Sequence, residues 1–179
     1  MHIAELQTPR HGADVGHLAE LHHAEFGGKR EFNVNAVIAA SFNFMQDKQR
    51  EQVNCWIAYN VDEPIGYLAA TIHRSLYSYR TYAVQEMWYV IPQYRAGRAG
   101  IGLLNAFERW AIKNKCERIY TQVEHDDNAA LVERIITLLR FLGYKKQGYV
   151  AVKETNIKLE DERDDPGTHR TMGAKQAQS

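Results

Sequence analysis

Val90-Ile91-Pro92-Gln93-Tyr94-Arg95-Ala96-Gly97-Arg98-Ala99-Gly100-Ile101-Gly102-Leu103-Leu104 is the stretch that decides how this chain is read. Apolar residues run into Pro92, a short segment rich in Gly and Arg follows, and an apolar helical pattern begins near Ala99. That is a strand, a tight turn and the first turn of an amphipathic helix. The first amides of a helix have no intrahelical acceptor, and the helix dipole is positive at that end. With two guanidinium groups beside them, they make an anion site, and the expected ligand is a phosphate-bearing cofactor.

Outward from this turn, helical and strand periods alternate cleanly. Upstream, His2 to Thr8 reads as a strand broken by Pro9 to Gly12, and Val15, Leu18, Ala19, His22 and Phe26 follow helical spacing up to Gly27-Gly28. Val34, Val37, Ile38, Ser41 and Met45 mark a second helix, capped by Asn33 or Asn35. Val53–Tyr59 and Ile65–Ile72 are strands joined by the turn residues Val61-Asp62-Glu63-Pro64. Val84–Ile91 is the strand entering the turn, and Ala99–Lys113 is the helix leaving it. Arg118–Glu124 is a further strand, and Leu131, Ile135, Leu138, Leu139 and Leu142 lie on one helical stripe that Gly143 stops. Tyr144 to Val152 closes the pattern as a strand or hairpin pair. The predicted fold class is α+β: a mixed, mostly antiparallel central sheet flanked by helices on both faces. The β-α-β crossover makes Val84–Ile91 and Arg118–Glu124 parallel neighbours.

The bulk composition bounds the function. In 179 residues, 45% are hydrophobic and 25% charged, the profile of one globular domain. Lys plus Arg and Asp plus Glu each number 22, so the chain lacks the basic excess of a general nucleic-acid binder. Cys55 and Cys116 have no metal-ligand spacing and read as a reduced intracellular pair; no metal is expected. The start of the chain lacks a signal-peptide pattern and no apolar run is long enough for a bilayer, so a cytoplasmic protein without a membrane partner is expected. Residues 1–156 are expected to form one domain. From 157 to 179 the polar, acidic run reads as a disordered tail.

The element order and the turn together resemble the GNAT superfamily of acyl-CoA-dependent N-acetyltransferases. That family carries Arg/Gln-x-x-Gly-x-Gly/Ala after Val-x-Pro and before a Leu pair; here Val90-x-Pro92, Arg95-Ala96-Gly97-Arg98-Ala99-Gly100 and Leu103-Leu104 stand in those places. Leu142-Gly143-Tyr144 and Gly148-Tyr149-Val150-Ala151-Val152-Lys153 resemble the family's later elements. Arg98 departs from the family, which usually has Gly there. The resemblance implies a GNAT-like fold, an enzyme, and acetyl-CoA as cofactor. It also implies that the amides of Ala96, Gly97, Arg98, Ala99 and Gly100 hold the pyrophosphate, aided by the side chains of Arg95 and Arg98. The pantetheine arm would lie between the parallel strands beside Tyr89, Val90 and Ile91, where a backbone N–H stabilises the oxyanion. Asn128, with Asp127 as the one-residue alternative, matches an Asn that contacts the arm; these residues read equally as a helix cap.

The reaction needs a neutral amine, and a lysine-like amine with a pKa of roughly 10.4 is almost wholly protonated near pH 7. Glu86, in the strand before the turn, is the first candidate base; His125 is the second. The Tyr that many members use to protonate the leaving thiolate is replaced by Leu139. The resemblance assigns the acceptor, an amine on a small molecule or peptide, to the N-terminal helices and the tyrosine-rich hairpin. Tyr77, Tyr79 and Tyr82 there suit a groove, a homodimer contact or plain exposure. The competing reading is a non-catalytic GNAT-like module that binds CoA or a protein partner.

Overall fold

Pro9 to Gly12, expected as a break after the first strand, are the first turn of a helix. In the computed structural model, which describes residues 1–26, 33–44, 52–123 and 129–146, α1 spans Pro9–Phe26. Thr8 caps it: its hydroxyl accepts the His11 N–H at 3.2 Å and its carbonyl the Gly12 N–H at 3.2 Å. Proline suits the first helical position, where no hydrogen-bonded N–H is needed. The local signals therefore agree once Thr8 is read as the cap. Helix α2 spans Val34–Phe44, and Asn33, not Asn35, caps it through Oδ1 to the Ala36 N–H at 3.1 Å. Helices α3 (Ala99–Lys113) and α4 (Ala129–Phe141) fall on the apolar stripes that predict them. Gly143, at φ +91°, takes the left-handed conformation that ends α4.

The strands are β1 (His2–Glu5), β2 (Val53–Asn60), β3 (Glu63–Arg74), β4 (Thr81–Val90) and β5 (Arg118–Tyr120), lying side by side in that order. Neighbours are antiparallel except β4 and β5, which are parallel as the crossover requires. Strand β5 is shorter than its sequence pattern suggests: it pairs with β4 only from Tyr82–Arg118 to Val84–Tyr120. Residues Met1–Gly143 make one compact unit; of the second, Tyr144–Ser179, only 144–146 are described. The expected final strand pair and the tail expected from 157 lie outside the described residues.

Strand alternation splits the core of the first unit into two layers. Cys55, Ile57, Tyr59, Tyr67 and Tyr89 pack with Leu6 and with Val15, Leu18 and Ala19 of α1. Helix α2 rests on α1, where a Cβ on Gly16 would come within 2.7 Å of Ile38. On the opposite face Trp56 meets Phe107 and Trp110 of α3, at ring separations of 6.2 and 5.5 Å. Phe107 is completely buried, and Phe107→Ala is expected to lower unfolding free energy by about 3–5 kcal/mol in urea titrations.

The α1-side layer holds several groups whose protons are hard to remove. Burial pushes the Cys55 thiol from 9.0 up to about 12, and burial also raises the Tyr67 and Tyr59 phenols, the latter with help from Asp14. Each group binds its proton more tightly folded than unfolded. The stabilisation is therefore complete below the ordinary thiol value of 9.0 and is lost as pH rises through the folded value. Stability measured from pH 8 to 11 is expected to fall progressively, at about 1.4 kcal/mol per pH unit for each group ionising only in the unfolded chain. Cys55→Val should make the onset shallower.

Candidate active site

Strand β4 supplies most of the candidate site because its two edges differ. Along β3 it is paired from Thr81 to Val90 with one interruption, at Glu86. Along β5 it is paired only to Val84, and beyond that the Gln122 N–H bonds to the Gln85 side-chain Oε1 at 3.2 Å, not to β4 backbone. Buried backbone groups need partners, and Gln85, 4% exposed, supplies one where the strands part. The Ile91 N–H reaches the Ile65 carbonyl at 2.9 Å, on the β3 side. Antiparallel alternation then turns the backbone groups of Tyr89 toward β3 and those of Val90 into the gap. This separates three residues expected to act together. Ile91 is committed, since its carbonyl also accepts the Tyr94 N–H, and Tyr89 faces its sheet neighbour. Val90 presents its N–H, while its carbonyl accepts Arg95 Nε at 2.8 Å.

A bulge re-aims the strand's carboxylate. Met87 pairs with Ala69 and Gln85 with Ala70, leaving Glu86 as the extra residue. Regular alternation would put Glu86 on the α3 face with Trp88, whose indole packs beside Gly100. The bulge instead delivers it to the α1 face, where Thr71 donates to Oε1 at 2.5 Å and His73 Nε2 lies 3.6 Å from the same oxygen. Met87, Tyr89 and Tyr67 occupy this face too. Tyr67 Oη is 3.5 Å from Met87 Sδ and 3.0 Å from His22 Nδ1, and the His22 ring stacks on Tyr89 at 4.9 Å.

The turn after β4 is a short 3-10 segment, Pro92–Tyr94, followed by four turn residues and α3. The N–H of Arg95 bonds to the Pro92 carbonyl and that of Gly97 to the Tyr94 carbonyl. Among the described residues, the amides of Ala96, Arg98, Ala99 and Gly100 have no protein acceptor. Unpaired donors in the turn and at a helix N-terminus suit a diphosphate, and the parted edge of β4 suits the arm of a phosphopantetheine cofactor. Arg98 sits at φ −87°, ψ −3°, ordinary right-handed backbone, so replacing the family's usual Gly introduces no strain. With Gln93, Tyr94, Gly97 and Ala99, it borders a cavity of about 170 Å³.

Two residues of the turn have close contacts within the protein. Arg95 does not aim its charge at these amides: its guanidinium takes both oxygens of Glu25 on α1, Nη1 to Oε1 at 2.7 Å, and lies over the rings of Phe26 and Tyr89 at 5.4 and 5.5 Å. Carboxylate, carbonyl and two π faces satisfy it more completely than solvent, which leaves Arg98 as the turn's own cation. A Cβ on Gly100 would stand 3.3 Å from the Trp88 ring, so glycine here lets the start of α3 close onto the sheet. Leu139, in place of the usual Tyr, is 7% exposed in α4. His125 and Asn128 lie outside the described residues. Tyr77 and Tyr79 project fully exposed from the β3–β4 hairpin, with Tyr82 at its base.

The sequence profile of the acetyltransferase (GNAT) family matches residues 18–144. The chain belongs to this family. No curated protein sequence matches it. Among solved structures it is similar to the aminoglycoside acetyltransferase AAC(6')-Iy in complex with the bisubstrate analogue CoA-S-monomethyl-acetylneamine. Identity is 16% and TM-score 0.66, over 88% of this chain and 100% of the other. It is also similar to an aminoglycoside acetyltransferase from an uncultured soil metagenomic sample in complex with sisomicin, at 14% identity and TM-score 0.67, over 88% and 96%. A third is the ribosomal-protein-alanine N-acetyltransferase from Brucella melitensis biovar Abortus 2308, at 10% identity and TM-score 0.63, over 86% and 98%. These likenesses carry the fold; the family carries the chemistry. This GNAT protein is an acyl-CoA-dependent N-acetyltransferase whose cofactor is acetyl-CoA. Among the described residues no helix is long and apolar enough to cross a membrane, and no group of three or more His, Cys, Asp or Glu could hold a metal ion.

Glu25, His22, Thr71 and His73 are the site-facing residues that sequence reasoning misses. Glu25 and His22 look like ordinary helix residues, and nothing local to Thr71 or His73 signals their partners across the sheet. Removing the Glu25 side chain strands a partly buried guanidinium. Glu25→Ala is expected to cost about 2 kcal/mol in denaturant titrations, and a cycle with Arg95→Ala should show the two losses to be strongly non-additive.

Proposed function

We propose that this enzyme transfers acetyl from acetyl-CoA to a primary amine by direct attack, with Glu86 as the base. One observation supports this above the others: the unpaired amides of Ala96, Arg98, Ala99 and Gly100 continue the parted edge of β4. On the α1 face of the same strand the bulge presents a carboxylate. Acetyl-CoA, when bound, supplies an acyl group activated as a thioester. The four turn amides and Arg98 hold its diphosphate, and the Val90 N–H serves its arm or the oxygen on which negative charge develops. Glu86 takes a proton from the incoming ammonium group, directly or through water, and restores its lone pair. Asn128 keeps the contact with the cofactor arm that the family resemblance implies, and His125 stays the second candidate base.

Leu139 cannot donate a proton, so the thiolate leaves without an acid from that position. A free thiol's pKa of roughly 8.5 makes this tolerable near neutral pH. The acceptor proposed is a small molecule or a peptide amine reaching the sheet face beneath α1, where Met87 and Tyr82 flank the carboxylate. Aminoglycosides and peptide N-termini are the first acceptors to try, because the structural neighbours are enzymes for such amines.

Acetyl-CoA at a hundred times its Kd should stabilise the protein by about 2.7 kcal/mol, read as a rise in Tm. Glu86→Gln should keep that rise while lowering kcat by about 10²–10⁴-fold, with thiol release as the assay. A missing Tm shift would remove the cofactor site from this turn, and undiminished turnover in Glu86→Gln would remove the base.

A further inference from the structure

Three side chains from two strands meet on the α1 face beside the bulge, and only one hydrogen-bond pattern satisfies them. The Thr71 hydroxyl lies 2.5 Å from Glu86 Oε1 and 2.8 Å from His73 Nε2. A carboxylate accepts and cannot donate, so the single hydroxyl proton of Thr71 goes to Glu86. Thr71 must then accept at its other contact, and His73 carries a proton on Nε2. The chain runs in one direction, from His73 Nε2–H to Thr71 Oγ1–H to Glu86 Oε1.

We propose that Thr71 and His73 are positioning residues that hold Glu86 by Oε1 and leave Oε2 as its base atom. This rests on Glu86 being the base named above. Among the described residues Oε2 has no partner, whereas Oε1 has both Thr71 and, at 3.6 Å, the imidazole edge. Glu86 needs such a hold. As the extra residue of the bulge it has no cross-strand partner of its own, and its side chain is 45% exposed. A glutamate with three free torsions spends little time in any one pose, and a misplacement of 1 Å can cost about a hundredfold in rate. Thr71 is suited to the task because its β-branched side chain is restricted at χ1 and it sits inside the paired part of β3, opposite Val84.

His73 is itself steadied from one side. It pairs with Tyr82 across β3 and β4, and the rings stack at 5.6 Å with 19° between planes. Tyr82 in turn meets the edge of Tyr120 on β5 at 5.5 Å, and Arg118 lies 3.4 Å from the Tyr120 hydroxyl. The stack fixes the imidazole plane so that Nε2 points at Thr71. The chemistry needs no proton to travel along this chain: the ammonium proton goes to Oε2, and the chain keeps Oε1 occupied so that Oε2 meets the acceptor.

The assignment makes a spectroscopic claim about the free protein as well as a kinetic one. Long-range ¹H–¹⁵N spectra, with the His73 signals assigned through His73→Gln, should show neutral His73 as the Nε2–H tautomer. The bias should relax in Thr71→Val and in Glu86→Leu, each of which removes one partner of the chain. With acetyl-CoA and an accepted amine, Thr71→Val should lose about ten- to a hundredfold in kcat with KM for acetyl-CoA held. Thr71→Ser should recover most of that loss, and Thr71→Val with His73→Gln should be little worse than Thr71→Val alone. An Nδ1–H tautomer in the wild-type protein, or full kcat in Thr71→Val, overturns the proposal. If Thr71→Val does not fold, Glu86→Leu carries the same tautomer test. A wild-type protein that acetylates no amine would defeat the proposed base chemistry, and the tautomer would still decide whether this chain of hydrogen bonds exists.

Discussion

A strand in the middle of a sheet must satisfy its backbone on both edges, and β4 does so on only one. Every feature of the candidate site answers that constraint. Where β5 turns away after Tyr120, Gln85 lends a side-chain oxygen to the Gln122 amide and closes the fork. Beyond the fork the Val90 carbonyl is claimed by Arg95, and its N–H is left facing the gap. A polar group kept from its natural partner in an otherwise paired sheet costs free energy. A chain that retains such a group gains a place to seat the extended arm of a ligand.

The unpaired edge would be of little use if the turn after it could drift, and Arg95 prevents this. It bonds back to the strand it follows and forward to Glu25 on α1, and its charge rests against two aromatic rings. The turn is thus tied both to β4 and to α1. Glu25 is placed by the core that orders Leu18 and Val15 against Tyr67 and Tyr89, so packing on that face sets the pose of the turn. The opposite face contributes independently: Gly100 lets the start of α3 close over Trp88, and Phe107 and Trp110 hold the rest of that helix to Trp56.

The bulge at Glu86 divides the labour of a single strand between the two sheet faces. Residues before and after it follow the ordinary alternation, with Trp88 toward α3 and Tyr89 toward α1. The extra residue delivers a carboxylate to the α1 face without disturbing either layer. The histidine and threonine beside it belong to β3, which is fully paired at that point, so an exposed carboxylate leans on a paired strand.

The order of helices and strands, the stop at Gly143, an Asn cap at 33 or 35, the parallel crossover and the Gly/Arg turn are all readable in the sequence. They depend on apolar periodicity and on which residue types tolerate a helix end, and both are decided by near neighbours along the chain. Thr8 was equally readable, and only the habit of treating Pro9 as a breaker obscures it. The short β5 and the bulge were not readable, because each depends on what an adjacent strand offers. The same holds for the partners of the functional side chains. Arg95 is as good a phosphate ligand as any by its type and place, yet a carboxylate 70 residues earlier takes it. Glu86 is named by its strand, but its orientation is set by a hydroxyl 15 residues away. Local sequence determined where amides and charges are available; the packing of distant segments decided which were already spent and which remain for a ligand.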